Sequence, residues 1–299
     1  MTNAIDVHSA TRTFGRTNAL DGVSFAVPEG SICGLLGRNG AGKTTIMSII
    51  AGQDRPTSGW VEVLGQRPFE NESVLSRISF VRDNQRYPDS YRLRHVLRIA
   101  PEFAPNWNED VAGELAEAFR IPTRTEIKKF SRGQLSSVAI ILGLASRAAV
   151  TLLDEPYLGL DVTARAAFHD MLLRDYAAHP RTVLLSTHLI EESEKLFDRV
   201  VVVDRGRVRV DSDVDDARDL AFTLSGTTAA VDKLAQRHTV LRSHTVSGLK
   251  SVTVLGTADD AVRADAEGLG ARLAPASLQD LVAAYGEEGS APIEEGTRA

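Results

Sequence analysis

Apolar positions along this chain change their spacing several times, and each change marks an element. Val23-Ser24-Phe25-Ala26-Val27 alternates apolar and polar with period two, the spacing of a half-buried strand. Ala4-Ile5-Asp6-Val7 is a shorter run of the same kind, so antiparallel strands are expected over residues 4–30. Ser31-Ile32-Cys33-Gly34-Leu35-Leu36 follows the turn Pro28-Glu29-Gly30 as a continuous apolar run, which predicts a buried strand. Residues 44–52 then read as a helix, with Gly52 near its stop. After the turn at 56–59, strands are predicted at 60–65 and 77–81.

From Asp83 the spacing becomes helical. Segments 91–100, 109–120 and 134–147, separated by Pro101, Pro105 and Pro122, predict an all-helical insertion over 85–147. Beyond it come a strand at 149–153, a helix at 162–178, a strand at 182–187, a helix at 190–197 and strands at 199–204 and 207–210. Strand and helix in alternation predict a mostly parallel sheet. From residue 217 the order restarts: strand 220–224, helix 228–237, strands 239–244 and 250–255, helix 259–268, strand 271–274 and helix 277–285. That βαββαβ order predicts a small ferredoxin-like α+β domain over 217–286. The tail 287–299 is acidic with Gly, Ser and Pro, and is expected to be unstructured. No internal repeat, heptad or metal-ligand spacing stands out.

Composition narrows the picture a little. With 299 residues, 43% hydrophobic and 25% charged, the chain has material for a sizeable core in one large domain or two. A net charge of −6 argues against nucleic-acid binding through bulk charge. The one cysteine, Cys33, cannot form an intramolecular disulfide and reads as a buried structural thiol. The start, Met1 to Asp6, is polar, so no leader is expected. The longest apolar stretch, 138–145, is broken by Gly143 and falls far short of the ~20 residues that cross a bilayer. The expectation is a soluble, cytoplasmic protein whose membrane connection, if any, comes through a partner.

The strongest chemical signal is Gly37-Arg38-Asn39-Gly40-Ala41-Gly42-Lys43-Thr44-Thr45, which fits G-x-x-x-x-G-K-[ST] between a predicted strand and helix. Phosphates must approach backbone N–H groups closely, which glycines permit. The helix that follows points its positive end at the anion. Lys43 can reach the β- and γ-phosphates as a point charge, and the Thr44 hydroxyl can ligate Mg²⁺. Downstream, Thr151-Leu152-Leu153-Asp154-Glu155-Pro156 ends a buried strand on two acids, at the sheet edge where ligands of open α/β sheets bind. Ser131 is a natural N-cap for the helix after it. Phe14 reads from spacing alone as a core residue, with an edge platform for a base as the alternative.

Taken in order, these motifs resemble those of the ATP-binding subunit of an ABC transporter, over about residues 3–215. The glycine loop matches Walker A. Phe130-Ser131-Arg132-Gly133-Gln134 resembles the signature motif, usually Leu-Ser-Gly-Gly-Gln, with Phe130 and Arg132 as departures. Thr151 to Glu155 resembles Walker B with the catalytic glutamate, Thr151 standing where the motif is more apolar. Gly159-Leu160-Asp161 resembles the D-loop, and His188 falls at the switch histidine. The fold this implies is an α/β P-loop NTPase of ABC type, with a mixed sheet core, an antiparallel β subdomain and the inserted helical subdomain, followed by the small domain.

The resemblance also implies roles. Phe14 would stack on adenine rather than fill the core. Thr44, Asp154 and, at the Q-loop position, Asp83 would serve Mg²⁺, although Gln85 is the usual residue type two places later. Glu155 would activate water, with His188 and Lys43 on the phosphates. Ser131, Arg132, Gly133 and Gln134 would act in trans on ATP held by a second ATPase subunit, identical or paralogous, with Asp161 in the D-loop. The helical insertion would dock on a separate membrane permease, placing the chain at the inner face of the membrane. The appended domain resembles that of multidrug and ABC-2 export ATPases, which favours export. The rival reading is a non-transport ABC ATPase acting on ribosomes or nucleic acid.

Overall fold

The computed structural model describes residues 2–82 and 85–285. Two long strands open the chain, β1 (Asn3–Phe14) and β2 (Thr17–Pro28). The short buried β3 (Ile32–Leu36) runs through the glycine loop into α1 (Lys43–Ile50). Strand β4 (Ser58–Val63) returns to the far side of β1 and completes a three-stranded antiparallel sheet, β2-β1-β4. After α2 (Glu72–Leu75) and β5 (Ile78–Val81), the helical segment carries α3 (Leu93–Ile99), α4 (Glu109–Ala118) and α5 (Arg132–Ala145). Then come β6 (Val150–Asp154), α6 (Val162–Ala178), β7 (Thr182–Thr187), α7 (Ile190–Ser193), β8 (Arg199–Asp204) and β9 (Arg207–Asp213). These strands form a six-stranded sheet in the order β5-β6-β7-β3-β8-β9, parallel except for the antiparallel pair β8–β9.

The small domain follows α8 (Val214–Asp219) as β10 (Ala221–Thr227), α9 (Thr228–Ala235), β11 (Thr239–Val246), β12 (Leu249–Leu255), α10 (Asp260–Gly268), β13 (Arg272–Pro275) and α11 (Leu278–Tyr285). Its antiparallel sheet has the order β11-β12-β10-β13, the arrangement expected of a ferredoxin-like unit. Several expectations change: the strand expected at 207–210 runs on to Asp213, and α2 and α8 stand where no helix was expected. The helix expected at 190–197 is a short α7 continued by a 3₁₀ turn (Glu194–Leu196). The strand expected at 4–7 extends to Phe14, which pairing with β2 and β4 sustains through polar positions.

The central strands read as unbroken apolar runs because both faces of their sheet are covered. Along β3, Ile32 and Leu36 join a core with α5 and α6, whereas Cys33 and Leu35 join one with β1, β2 and α1. Burial raises the Cys33 pKa, in keeping with an inert thiol. Thr151 is fully buried on β6, and its hydroxyl has no hydrogen-bond partner among the described residues. Behind the sheet, Asp175 of α6 accepts from Arg147 at 2.6 Å and Arg181 at 2.7 Å, fixing the ends of α5 and α6 against β7.

Helix α11 ties the small domain to the rest. Leu278, Leu281, Val282 and Tyr285 are buried in the same core as Ile190, Leu196 and Phe197. Leu278 is wholly buried. Leu278→Ala is expected to lower stability by about 2–5 kcal/mol through lost burial and a residual cavity. Equilibrium denaturation in urea, compared with the parent chain, measures it.

Candidate active site

The glycine loop wraps the start of α1. A side chain at Gly37, where φ is 149°, would put its Cβ 2.2 Å from the Val203 carbonyl oxygen, so only glycine fits against β8. The Ala41 carbonyl accepts from the Gly206 N–H at 2.9 Å and anchors the loop to the β8–β9 turn. Arg38, Asn39 and Gly40 are exposed, Ala41 is buried, and Gly42 is the N-cap of α1. Residues 38–45, including Thr44 and Thr45, line a cleft of about 320 Å³ together with Ala19 and Glu155. The Lys43 ammonium is buried there. It donates to the Gly37 carbonyl at 2.7 Å and lies 3.4 Å from Glu155 Oε1.

The two acids leave β6 in different directions. Asp154 is buried and accepts from the Ser186 hydroxyl at 2.6 Å. The same Ser186 oxygen accepts from the Glu155 N–H at 2.9 Å. Glu155 adopts φ of 49°, a left-handed conformation that costs a non-glycine residue on the order of 1–3 kcal/mol. That backbone turn carries the Glu155 side chain toward β7. Its Oε2 lies 2.7 Å from His188 Nδ1 and accepts from the His188 N–H at 3.3 Å. Lys43, Glu155 and His188 thus meet through one carboxylate.

Ser186 does not emerge from the motifs. Its signal was a hydroxyl near the end of an otherwise apolar strand, and it becomes meaningful only once the parallel register places it opposite Asp154.

Ser131, Arg132, Gly133 and Gln134 do not line the phosphate-loop cleft. They form the start of α5, where Ser131 accepts from the Gln134 N–H at 3.3 Å and Gln134 Oε1 accepts from the Ser131 N–H at 3.0 Å. This capping box leaves Ser131 exposed at the helix tip. Gly133 packs backbone to backbone on Gly159; a Cβ on Gly133 would stand 2.1 Å from the Gly159 oxygen. The Ser136 hydroxyl donates to the Leu158 carbonyl at 2.8 Å, a second tie between α5 and the segment that leads into α6. Asp161 caps α6 by accepting from the Ala164 N–H at 2.8 Å. Phe130 is buried in the helical segment, whereas Arg132 is exposed.

Phe14 corrects the reading from spacing: at the end of β1 it is 49% exposed and outside the core, with the Arg12 guanidinium 4.5 Å from its ring centroid. It does not border the phosphate-loop cleft. Asp83 lies outside the described residues, whereas Gln85 lines a groove between β5 and α3.

A glycine loop capping a helix beside a buried aspartate and a partnered glutamate defines a P-loop nucleoside triphosphate hydrolase. Residues 20–158 match the family described as ABC transporter. Nod factor export ATP-binding protein I of Rhizobium meliloti is 34% identical over 211 residues, 68% of this chain and 62% of that protein. Aliphatic sulfonates import ATP-binding protein SsuB 1 of Paraburkholderia xenovorans is 30% identical over 235 residues, 78% of this chain and 67% of that protein. Among solved structures, an ATP-binding subunit of an ABC transporter superimposes with a TM-score of 0.65 at 27% identity, covering 73% of this chain and 92% of that one. The chain belongs to the ABC transporter ATP-binding family and is an ATPase of that type. Among the described residues no helix is long and apolar enough to cross a membrane.

The Gly133–Gly159 contact yields a test. Gly133→Ala must push the D-loop away from the signature helix, and is expected to lower ATP turnover about tenfold or more while ATP binding to the chain persists. Steady-state ATPase assays beside nucleotide-binding titrations separate the two effects.

Proposed function

We propose that this chain is the energy-supplying subunit of an exporter: two ATPase subunits close over ATP and drive a separate membrane permease. The observation that carries the reading is the division of the site. Lys43, Asp154, Glu155 and His188 converge beside the phosphate loop, while the exposed Ser131 lies outside that cleft. A second subunit offering its Ser131 and Gly133 would complete the enclosure, so ATP would act as the adhesive between subunits.

In this reading Lys43 binds the β- and γ-phosphates, the loop N–H groups cradle them, and Phe14 is the adenine platform. Glu155, held by His188, takes a proton from the attacking water. General-base assistance of this kind typically contributes about 10²–10⁴-fold. His188 contacts the γ-phosphate. The donors available for Mg²⁺ are the Thr44 hydroxyl and the Asp154 carboxylate. Such hard oxygen ligands suit Mg²⁺ when phosphates supply the remainder. Bound there, Mg²⁺ would neutralise phosphate charge.

A permease segment has a place to dock. Between the helical segment and β5 lies a groove of about 570 Å³, with Phe80, Tyr91, Val96 and Trp107 along it and the exposed Phe103 at its lip. Gln85 lies in the same groove. Docking there would place the chain at the inner face of the membrane. Export is favoured by the appended ferredoxin-like domain and by the Nod factor export relative. The sulfonate import relative, at lower identity, is the competing direction.

Glu155→Gln removes the base but keeps the side chain's shape. It is expected to abolish turnover, retain ATP, and shift from monomer to dimer only when Mg-ATP is added. Light scattering on the purified variant with and without nucleotide reads the change. A variant that binds ATP and stays monomeric would mean that the partner ATPase is a different chain or that the permease is required. Equal ATPase rates for parent and variant would remove Glu155 from the chemistry.

A further inference from the structure

Tyr157 holds none of the roles above. It lies two residues beyond Glu155 and is 3% exposed, with its ring edge-on to Phe168 at 5.5 Å. Its hydroxyl stands 2.8 Å from His169 Nε2 on α6 and 3.0 Å from Ser193 Oγ on α7. Ser193 Oγ is in turn 2.9 Å from the carbonyl of Leu189, the residue after His188.

The order of protons along this chain follows from what each group can do. The Ser193 hydroxyl points its one proton at two acceptors, the Tyr157 oxygen at 3.0 Å and the Leu189 carbonyl at 2.9 Å. The Tyr157 oxygen accepts from Ser193, which leaves the Tyr157 O–H to donate to His169 Nε2. Burial lowers the His169 pKa, which favours a neutral ring able to accept at Nε2.

The position of the chain gives it consequence. The parallel ladder of β6 and β7 ends at Asp154 and Ser186. Beyond that point the segments carrying Glu155 and His188 are joined by side chains. On the open side is the 2.7 Å Glu155–His188 contact, with the His188 side chain 46% exposed. On the buried side is Tyr157, bonded through Ser193 to the turn that presents His188. Ser193 is fully buried, so this second tie is shielded from water.

We infer that Tyr157 is a positioning residue for ATP hydrolysis: through Ser193 it holds the backbone of His188 in register with that of Glu155. The inference rests on the ATPase activity of this site and assigns Tyr157 no contact with nucleotide.

The test is steady-state ATP turnover by the full chain with Tyr157→Phe, Ser193→Ala and both together, with Glu155→Gln as reference. Each single variant is expected to lower kcat by about 3–10-fold with KM for ATP within about twofold of the parent. The double variant should be no slower than the slower single one, because one link has been cut twice. Unchanged kcat in Tyr157→Phe would overturn the inference. So would multiplicative losses in the double variant, or losses that merely track the folded fraction in a thermal melt. Ser193→Ala leaves the tyrosine ring packed and carries the test if Tyr157→Phe does not fold. Parent-like turnover by Glu155→Gln would instead overturn the hydrolysis reading on which this one stands.

Discussion

Asp154 and Ser186 face each other where β6 and β7 end, and the 2.6 Å hydrogen bond between them sets up the rest of the site. Ser186 spends its proton on Asp154 and keeps a lone pair for the Glu155 N–H. One hydroxyl therefore fixes two successive acids in different orientations. Asp154 is held within the sheet edge, and Glu155 is turned into the left-handed conformation that aims it at His188. The strain at Glu155 is tolerated because two acceptors on β7, the Ser186 oxygen and carbonyl, take its N–H. A parallel pairing in any other register would leave that N–H without its partner and the glutamate without its direction.

The second constraint is close backbone approach. At Gly37 the loop lies against the Val203 carbonyl, and at Gly133 the signature helix lies against Gly159. The first contact joins the nucleotide loop to β8. The second joins the signature helix to the D-loop, which runs directly from Glu155. Ligand loop and signature helix are therefore each rigidly tied to the sheet that carries the acids, although they sit apart in the chain. The proposed shared site would need this mechanical continuity.

Much of this was legible in the sequence where local chemistry decides the outcome. The glycine loop, the cap at Ser131, the acids at the end of an apolar strand and the βαββαβ order all depend on near neighbours. What was not legible depends on register and long-range packing. Phe14 looked like a core residue because its aromatic type says nothing about which strand end it occupies; pairing extends β1 to it and leaves it exposed. Ser186, Ser193 and His169 carry no motif, and they matter only because parallel strands and α6 bring them beside Asp154 and Tyr157. The union of the small domain with the main core was equally hidden, since nothing in the α11 sequence says what its apolar face covers.

That union bears on His188. Helix α7 is four residues long, too short to be stable by its own hydrogen bonds, so its place is set by what packs on it. On one side Ser193 bonds to Tyr157, behind the glutamate. On the other, Ile190 shares a core with Leu278, Leu281 and Val282 of α11, and α11 also contacts β11 and β12 of the small domain. Close-packed side chains have little room to shift independently. The backbone that presents His188 is therefore gripped between Tyr157 and the small domain. The geometry of Glu155 and His188 is in this sense a property of both domains together, and the C-terminal helix is as much a part of the ATPase framework as of the domain it closes.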